Sequence, residues 1–290
     1  MKIHEYQAKN LFNKFNIETL ENKLCLNLTE IINASNTLSY PCVIKAQIHA
    51  GGRGKGGGIR VVNTPIQAKE FGEKILNSNL VTPQNQPHGQ CVNSVLVEEC
   101  CPIDREIYLA FVLDREKELI CLIASSQGGV DIEKIAEESP HLIYKEWVNP
   151  IVGLRPYQIK KISQKLNISK NLNSFFEHFV KNLYELHINC DSLLTEINPL
   201  VITKNDALFP LDAKINIDDN CLYRQKKISA ILKSYNPNLL LFNKLIIKFH
   251  TIVSKQKSNQ KQISTKPYYK AMTDLTPIIV INYRLLCVES

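Results

Sequence analysis

One glycine-rich stretch decides the fold of this chain, the sequence KAQIHAGGRGKGGG from Lys45 to Gly58. Six of its last eight residues are glycines, which lack a Cβ and therefore let backbone amides wrap around an anion. An apolar strand is predicted before this loop at Pro41–Ile48, and a second one after it at Ile59–Val62. We therefore expect a strand–loop–strand flap. This is not the pattern of a Walker loop, which has the sequence GxxxxGK followed by Ser or Thr and leads into a helix rather than a strand.

Three cations accompany the glycines, and they favour phosphate as the ligand. Lys45 lies on the entering strand, six residues before the loop, where its ammonium group can reach phosphate oxygens. Arg53 and Lys55 lie within the loop itself. The alternative is a flexible hairpin tip without a ligand, since glycine is also common in such turns.

A second group of polar residues follows the predicted strand Val95–Cys100, in the sequence EECCP from Glu98 to Pro102 and at Glu106. A strand that ends in carboxylates, followed by a proline that can turn the chain or adopt the cis form, is suited to a hinge. Its carboxylates could accept hydrogen bonds from ribose hydroxyls. Exposed glutamates are more often only solvated, so both interpretations stay open for this segment alone.

Two oxygen-bearing side chains occur on neighbouring predicted strands, Asn198 in the sequence EINPL and Asp212 in the sequence LDAK. A predicted hairpin of Ile197–Ile202 with Ala207–Ile215 would place both on the same side. Mg²⁺ prefers one or two protein oxygens, with its other ligands from water and phosphate. The alternative is a strand cap and a turn residue, although a carboxylate between apolar neighbours needs a partner.

These three features, in this order, resemble an ATP-grasp nucleotide site, and residues 1–225 closely resemble the β subunit of succinate–CoA ligase. The segments that carry the resemblance are Ile3–Lys9 (IHEYQAK), Lys45 with Gln47–Lys55 (QIHAGGRGK), Leu96–Glu98 (LVE), Glu106–Leu109 (EIYL), Gly128–Glu133 (GGVDIE) and Glu196–Thr203 (EINPLVIT). The fold class that this implies is α/β (α+β), with an ATP-grasp fold.

The resemblance also implies roles for the residues at matching positions. Those expected to contact the nucleotide, either ATP or GTP, are Lys45, Gly52, Arg53, Gly54, Glu98, Cys101 and Glu106. Those expected to hold Mg²⁺ are Asn198 and Asp212. Glu196 would be the catalytic residue, because it would face a phosphohistidine carried by a partner α subunit.

The reaction of this family forms succinyl-CoA from succinate, CoA and a nucleoside triphosphate, within the tricarboxylic acid cycle. The β subunit exchanges a phosphoryl group between the nucleotide and the α-subunit histidine, in a heterodimer or heterotetramer. Positioning and charge neutralisation dominate such a transfer. The alternative function is that of a catalytically incompetent nucleotide-binding remnant or scaffold.

The formal net charge of +7 is unevenly distributed along the 290 residues. After Gln225 there are 11 of the 35 lysines and arginines but only two of the 28 acidic residues, and no glycine follows Gly153. The basic residues there are dispersed and form no motif that reads a nucleic-acid groove. We therefore expect neither nucleic acid nor a membrane as a partner. With 44% hydrophobic residues, the composition excludes global disorder.

Nine cysteines, an odd number without a CxxC pair, indicate reduced thiols in the core rather than disulfides or a zinc site. Residues 4–15 have a polar, helical pattern rather than that of a signal peptide, and no apolar run of about 18 residues is present. A cytoplasmic location is favoured. The mitochondrial matrix is the alternative, if a transit peptide was removed.

Further elements follow from hydrophobic periodicity. The other predicted strands are Glu106–Leu113 and Leu119–Ala124, and the predicted helices are residues 4–15, 66–76, 157–166 and 172–187. The last helix is predicted to bury the stripe Leu172, Phe175, Phe176, Phe179, Leu183 and Leu186.

We expect one ATP-grasp domain over residues 1–225. Its first subdomain would be residues 20–101, and its second would combine residues 1–19 with residues 102–225. The family's subunit continues into a flavodoxin-like domain, in whose place residues 226–290 are expected to form a divergent, basic and poorly specified tail. Such a truncated chain would bind Mg-ATP or Mg-GTP weakly and would not complete ligation alone.

Overall fold

The computed structural model describes residues 1–226 and Ile228, all within one compact unit that spans Met1–Leu232. Its helices are α1 (Glu5–Lys14), α2 (Leu28–Leu38), α3 (Pro65–Ile75), α4 (Ile132–Glu138), α5 (Pro156–Lys165) and α6 (Asn173–Asn189). Its strands are β1 (Asn22–Cys25), β2 (Cys42–Ala46), β3 (Ile59–Val62), β4 (Asn79–Leu80), β5 (Gln90–Cys91), β6 (Val95–Glu99), β7 (Ile103–Asp114), β8 (Leu119–Ser125), β9 (Ile143–Val148), β10 (Ser192–Thr203), β11 (Leu208–Pro210) and β12 (Ala213–Ile217). Within the described residues, no helix has the length and hydropathy of a membrane span.

The first sheet is antiparallel and has four strands in the order β1-β6-β2-β3. One of its two inner strands, β2, has the sequence CVIKA, in which Ile44 lies opposite Val97 of β6 and Arg60 of β3. Helix α2 packs against β1 and β6, and α3 packs against β2 and β3. Ile31 and Phe71 of these helices join Ile44 in a buried apolar core. Strands β4 and β5 form a separate small hairpin.

The second sheet contains β11-β10-β7-β8-β9 in that order, with β12 also paired to β10. All of its strand pairs are antiparallel. Helix α6 packs against β10, α5 against β9, and α1 against β12. Phe12, Phe111, Leu122, Phe176 and Ile197 are fully buried between these helices and the sheet. The short segment 100–102 joins β6 of the first sheet to β7 of the second. Residues of both sheets line the cleft between them.

The ladder between β10 and β7 is interrupted at Asn198 and Pro199, where the register shifts between Ile197 and Leu200. The Asn198–Pro199 peptide bond is cis. The Asn198 N–H donates instead to the carbonyl oxygen of Asp212, at 3.1 Å. This irregularity places Asn198 beside Asp212 at the end of the β10–β12 ladder.

The predicted α/β (α+β) class and the predicted elements listed by hydrophobic pattern are confirmed, with small shifts at their ends. The predicted hairpin is present but is divided into β11 and β12 around Leu211 and Asp212. The prediction for Phe175 is wrong: its side chain is 69% exposed, because α6 turns Phe176 and Phe179 towards the sheet instead.

Other elements were not predicted, among them β1, α2, α4 and β9. The proline of the hinge, Pro102, is not cis; the cis prolines in the described part of the chain are Pro41 and Pro199. Eight of the nine cysteines are described, and none of these eight is in a disulfide. Their expected burial holds for only four of them: Cys25, Cys42, Cys121 and Cys190.

The predicted division of residues 1–225 into two subdomains stays a prediction, as does the boundary at residue 225. The predicted tail, residues 226–290, lies outside the described residues apart from Lys226 and Ile228.

Candidate functional site

The glycine loop connects β2 to β3 as a compact flap, and its turns are closed by its own backbone. Gly56 N–H donates to Gly52 O at 3.1 Å, and Gly58 N–H donates to Arg53 O at 2.8 Å. Gly52 has a positive φ of 72°, which favours glycine. A Cβ at Gly56 would lie 2.4 Å from the carbonyl oxygen of Val81, so no side chain fits there. The predicted strand–loop–strand arrangement is therefore confirmed.

Lys45 of β2 is buried and extends to the floor of the cleft. Its Nζ donates to Glu98 Oε1 at 2.6 Å, to the carbonyl oxygen of Leu211 at 2.7 Å and to Glu5 Oε1 at 3.2 Å. These partners come from β6, from the turn before β12 and from α1. Lys45 therefore lies where the two sheets meet.

Arg53 of the flap folds back into the same cluster. Its NH1 group donates to the carbonyl oxygen of Ala46 at 2.9 Å. Its NH2 group pairs with Glu5 Oε2 at 2.8 Å and with Asp212 Oδ1 at 2.5 Å. Burial alone would lower the pKa of Arg53, but the carboxylates of Asp212 and Glu5 outweigh it and raise that pKa above its usual range.

Glu5 and Lys9 of α1 complete the cluster, and neither was predicted as a site residue. Lys9 forms ion pairs with Glu98 Oε2 and with Glu5 Oε1. Burial would raise the pKa of Glu5, but Lys45, Arg53 and Lys9 together hold it well below its ordinary value. The available signal was the spacing i, i+4 of Glu5 and Lys9, which places both charges on the apolar face of an amphipathic helix.

The hinge contributes Glu98, Cys101 and Glu106 to the cleft. Glu98 is only 1% exposed and holds Lys9 and Lys45 with its two oxygens. Burial raises the pKa of the Cys101 thiol, and the charge of Lys45 partly offsets this. A Cβ at Gly129 would lie 2.3 Å from Glu106 Oε2, so the Glu106 carboxylate lies tightly against that glycine.

The side-chain amide of Asn198 is held by the loop before α4. Gly129 N–H donates to Asn198 Oδ1 at 2.8 Å, and Asn198 Nδ2 donates to Val130 O at 2.9 Å. The Asp212 carboxylate is partly exposed, and its hydrogen bonds within the described residues, from Arg53 and from the Ala213 N–H, both end on Oδ1. Oδ2 of Asp212 therefore accepts no hydrogen bond from this part of the chain.

These two residues fit the requirements of Mg²⁺, because they are joined by a backbone hydrogen bond, line the same cleft and carry an amide oxygen and a carboxylate, which are hard donors. Among the described residues there is no cluster of three or more His, Cys, Asp or Glu side chains suited to a metal ion. A site of this kind would therefore need further oxygen ligands from water or from a bound phosphate. That requirement suits Mg²⁺ better than zinc.

Glu196 of β10 lies opposite Lys214 of β12, with 4.0 Å between Oε2 and Nζ. Burial raises the pKa of Glu196; Lys214 lowers it, and the carboxylates of Asp212 and Glu133 raise it further. The balance is a pKa above the usual value. When it is ionised, the Glu196 carboxylate can accept a hydrogen bond from a cationic or N–H group that enters the cleft.

All ten predicted site residues line one cavity of about 530 Å³, a volume typical of small-ligand sites. They are Lys45, Gly52, Arg53, Gly54, Glu98, Cys101, Glu106, Glu196, Asn198 and Asp212. Two further residues that line this cavity, Lys55 of the flap and Asp131, form an ion pair at 2.6 Å. The structure thus brings the predicted residues together, while their individual roles stay predictions.

Residues 2–202 match the family model described as the ATP-grasp domain. The chain belongs to the ATP-grasp family. The ATP-grasp fold that the sequence predicted is therefore confirmed, and the matched region contains the flap, the hinge and Asn198.

This ATP-grasp chain is similar to curated proteins of known name. It is 44% identical over 231 residues to the succinate–CoA ligase [ADP-forming] subunit beta of Desulfotalea psychrophila, a match that covers 80% of this chain and 60% of that protein. The protein of the same name from Anaeromyxobacter dehalogenans is also 44% identical, with the same coverage. The chain thus spans about 60% of the length of the curated relatives that it matches.

A solved structure with the same fold is that of ATP citrate lyase from Methanothrix soehngenii in complex with citrate and coenzyme A. The TM-score is 0.59 at 22% sequence identity, and the match covers 78% of this chain and 53% of that one. At this identity the likeness supports the fold alone.

Proposed function

We propose that this chain binds Mg-ATP in the cleft between its two sheets and exchanges the γ-phosphoryl group with a histidine of a partner subunit, as the β subunit of a succinate–CoA ligase. The observation that carries the proposal is the convergence of Lys45, Arg53 and Asp212 beneath the glycine flap in one cavity. Phosphoryl transfer depends on positioning and on neutralising phosphate charge, and this arrangement supplies both.

The binding roles follow from the chemistry of each side chain. Lys45 and Arg53 would bind the phosphate oxygens, and the amides of Gly52 and Gly54 would cover them. Cys101 and Glu106, on the hinge wall, would contact the adenosine, and the buried Glu98 would act on the nucleotide through Lys45. The flap would also shield the phosphates from water, and the ion pair of Lys55 with Asp131 would help to hold it in place.

Asn198 and Asp212 would hold Mg²⁺ through Asn198 Oδ1 and the Asp212 carboxylate. When bound there, the ion would neutralise charge on the terminal phosphates. Asn198 Oδ1 would then have to exchange its hydrogen bond from the Gly129 N–H for the ion. Arg53 would likewise move from Asp212 Oδ1 towards the phosphate.

Glu196 would position the incoming histidine. Its carboxylate would accept a hydrogen bond from one imidazole N–H, which leaves the other nitrogen directed at the γ-phosphorus. The buried position of Glu196 beside the metal-binding residues supports this role.

The choice of ATP over GTP is supported by the name of the relatives, which are ADP-forming enzymes. Succinate and CoA, and an α subunit that carries the histidine, are proposed on the same basis. Because this chain spans about 60% of those relatives, the ligation step is proposed only for the assembly with the α subunit. A cytoplasmic location stays a prediction.

The test is transfer of label to a partner histidine. The full chain is incubated with ATP labelled at the γ-phosphate, Mg²⁺ and a purified succinate–CoA ligase α subunit, with the Desulfotalea psychrophila β subunit as the positive control. We expect an acid-labile, alkali-stable label on the α subunit. If the control labels the α subunit and this chain binds nucleotide without doing so, the chain is a nucleotide-binding protein and the proposed transfer is wrong.

A further inference from the structure

A fully buried lysine, Lys9 of α1, lies behind the cavity and contacts both carboxylates that hold its cations. The Lys9 side chain is 0% exposed, and its Nζ pairs with Glu98 Oε2 and, at 3.3 Å, with Glu5 Oε1. Among the described residues that line the cavity, neither Lys9 nor Glu5 is present. Lys9 can therefore influence a ligand in the cavity only through its partners.

Those partners are shared with the cavity. Lys45 contacts Glu98 Oε1 at 2.6 Å and Glu5 Oε1 at 3.2 Å, and Arg53 contacts Glu5 Oε2 at 2.8 Å. Asp212 pairs with Arg53, so the cluster contains three carboxylates and three cations. They are Glu5, Glu98 and Asp212 with Lys9, Lys45 and Arg53. This balance allows six ionised groups to lie together in a largely buried cluster, since each charge has opposite charges as neighbours.

An anionic ligand would disturb this balance. Phosphate oxygens would draw Lys45 and Arg53 away from Glu5 and Glu98, both of which are buried. Lys9 would then be the one cation of this described cluster that still faces the two carboxylates. A buried carboxylate without a cation is strongly unfavourable, so in the absence of Lys9 the carboxylates would retain Lys45 and Arg53 and compete with the phosphates.

We propose that Lys9 is a positioning residue for nucleotide binding, because its ammonium group neutralises Glu5 and Glu98 while Lys45 and Arg53 turn to the phosphates. This inference rests on the proposed function, since it requires an anionic ligand in the cavity. It assigns to α1 a role in ligand affinity, in addition to its packing against β12.

The position of Lys9 also makes its charge sensitive to pH. Burial lowers the pKa of Lys9 to about 7; the charge of Lys45 lowers it as well, while Glu5 and Asp212 raise it. Glu5 on α1 and Glu98 on β6 pair with Lys9 directly. The other charged groups of the cluster are Lys45 on β2, Arg53 in the flap and Asp212 before β12. As the pH rises above about 7, Lys9 loses its proton and with it the ability to neutralise the carboxylates.

The experiment is calorimetric titration of the full chain with Mg-ATP at about pH 6, where the Lys9 ammonium group keeps its proton. We expect Lys9→Met to raise the Kd by about tenfold or more, and Lys9→Arg, which keeps the charge, to change it by less than about threefold. Phe12→Leu is the matched control, because Phe12 is a fully buried residue of the same helix that carries no charge. It should lower the melting temperature without changing the Kd.

A second variant separates charge balance from simple structural damage. Glu5→Gln combined with Lys9→Met removes one anion and one cation, so its Kd should return towards the native value. A purely structural role predicts a double variant at least as weak as Lys9→Met. The inference is overturned if Lys9→Met binds Mg-ATP like the native chain or if the double variant shows no recovery.

A comparison of pH profiles decides the question should Lys9→Met fail to fold. Between about pH 7 and about pH 9, the Kd of the native chain should rise, and that of Lys9→Arg should not, because arginine keeps its proton. The thiols of Cys100 and Cys101 do not produce this difference, because burial raises both of their pKa values and both residues are present in the two proteins. Parallel profiles overturn the inference, whereas a native chain that binds no Mg-ATP at all overturns the proposed function itself.

Discussion

Arg53 and Asp212 form an ion pair across the cleft, with the arginine NH2 group 2.5 Å from Oδ1 of the aspartate. The pair joins the flap of the first sheet to the turn before β12 in the second. Both residues line the cavity, and the proposed function gives Arg53 to the phosphates and Asp212 to Mg²⁺. Nucleotide binding must therefore replace this ion pair with contacts to the ligand.

Replacement of Asp212 by asparagine should remove the effect of Mg²⁺ on ATP affinity. In the native chain we expect Mg²⁺ to tighten ATP binding by about tenfold or more, and in Asp212→Asn by less than about threefold, because the carboxylate ligand is lost. The measurement is calorimetry in Mg²⁺ and in EDTA. Asp206→Asn is the control, since Asp206 lies in an exposed turn with φ of 56°, which asparagine tolerates. An equal Mg²⁺ effect in Asp212→Asn and the native chain would contradict the role of Asp212.

Replacement of Lys45 by methionine should weaken Mg-ATP binding by about thirtyfold, because a charged donor to the phosphates is removed. Lys134→Met is the matched control, since the Lys134 side chain is 69% exposed and, among the residues that the structure describes, its ion pair is with Glu138 of its own helix. Calorimetry at equal protein concentration compares the two. If both variants bind like the native chain, Lys45 is not a phosphate ligand.

Glu196→Gln should separate nucleotide binding from phosphoryl transfer. We expect the Kd for Mg-ATP to change by less than about threefold, and labelling of the α subunit to slow by about a hundredfold or more. The raised pKa of Glu196 adds a pH dependence: in the native chain, transfer should decline on acidification at a pH above the usual glutamate pKa of about 4.3. The glutamine variant should lack this decline. Undiminished transfer in Glu196→Gln would exclude the proposed role.

The ion pair of Lys55 with Asp131 should restrain the flap without stabilising the whole protein. Both side chains are substantially exposed, at 60% and 43%, so Lys55→Glu should change the free energy of unfolding by less than about 1 kcal/mol. Hydrogen exchange of the amides in residues 51–58 should nevertheless become faster. The charge-reversed pair Lys55→Glu with Asp131→Lys should restore slow exchange. Identical exchange in all three proteins would show that the pair does not hold the flap.

His187 should make the stability of the described unit depend on pH. Its side chain is buried beside Thr195, and burial lowers its pKa from 6.5 to about 4. Below pH 6.5 the unfolded chain therefore binds a proton that the folded chain does not, and stability is lost as the pH falls towards 4. The full loss from this one group is on the order of 3 kcal/mol.

Urea unfolding at pH 7 and pH 5 measures this dependence. In His187→Gln the decrease in unfolding free energy between the two pH values should be smaller than in the native chain. Part of the decrease should remain, because burial also lowers the pKa of His4. If the decrease is the same in His187→Gln, His187 does not cause it.

The elements that the sequence predicted well are those whose own residues determine them. The flap needs residues without a Cβ, as at Gly56, and the strand before it, CVIKA, is apolar except for Lys45, a pattern typical of a buried strand. Strand β1, with the sequence NKLC, has no such pattern and is recognised only by its pairing with β6. Helix α2 did offer a signal, because Asn27 caps it by accepting a hydrogen bond from the Glu30 N–H.

The site could be predicted only where a residue lies within a recognisable motif. Glu5 and Lys9 belong to a helix far away in sequence, and their contact with Glu98 depends on how α1 packs between the two sheets. The hydrogen bonds that hold Asn198 come from the loop at Gly129 and Val130, whose path no local pattern specifies. These tertiary contacts explain why the charge cluster was not predicted.

Titration of the full chain with Mg-ATP tests nucleotide binding in the cleft directly. We predict saturable binding of one nucleotide per chain, weakened by Lys45→Met and not by Lys134→Met, together with a rise in melting temperature. The absence of both binding heat and a thermal shift at about 1 mM nucleotide, a concentration that populates even a weak site, would contradict nucleotide binding by this chain.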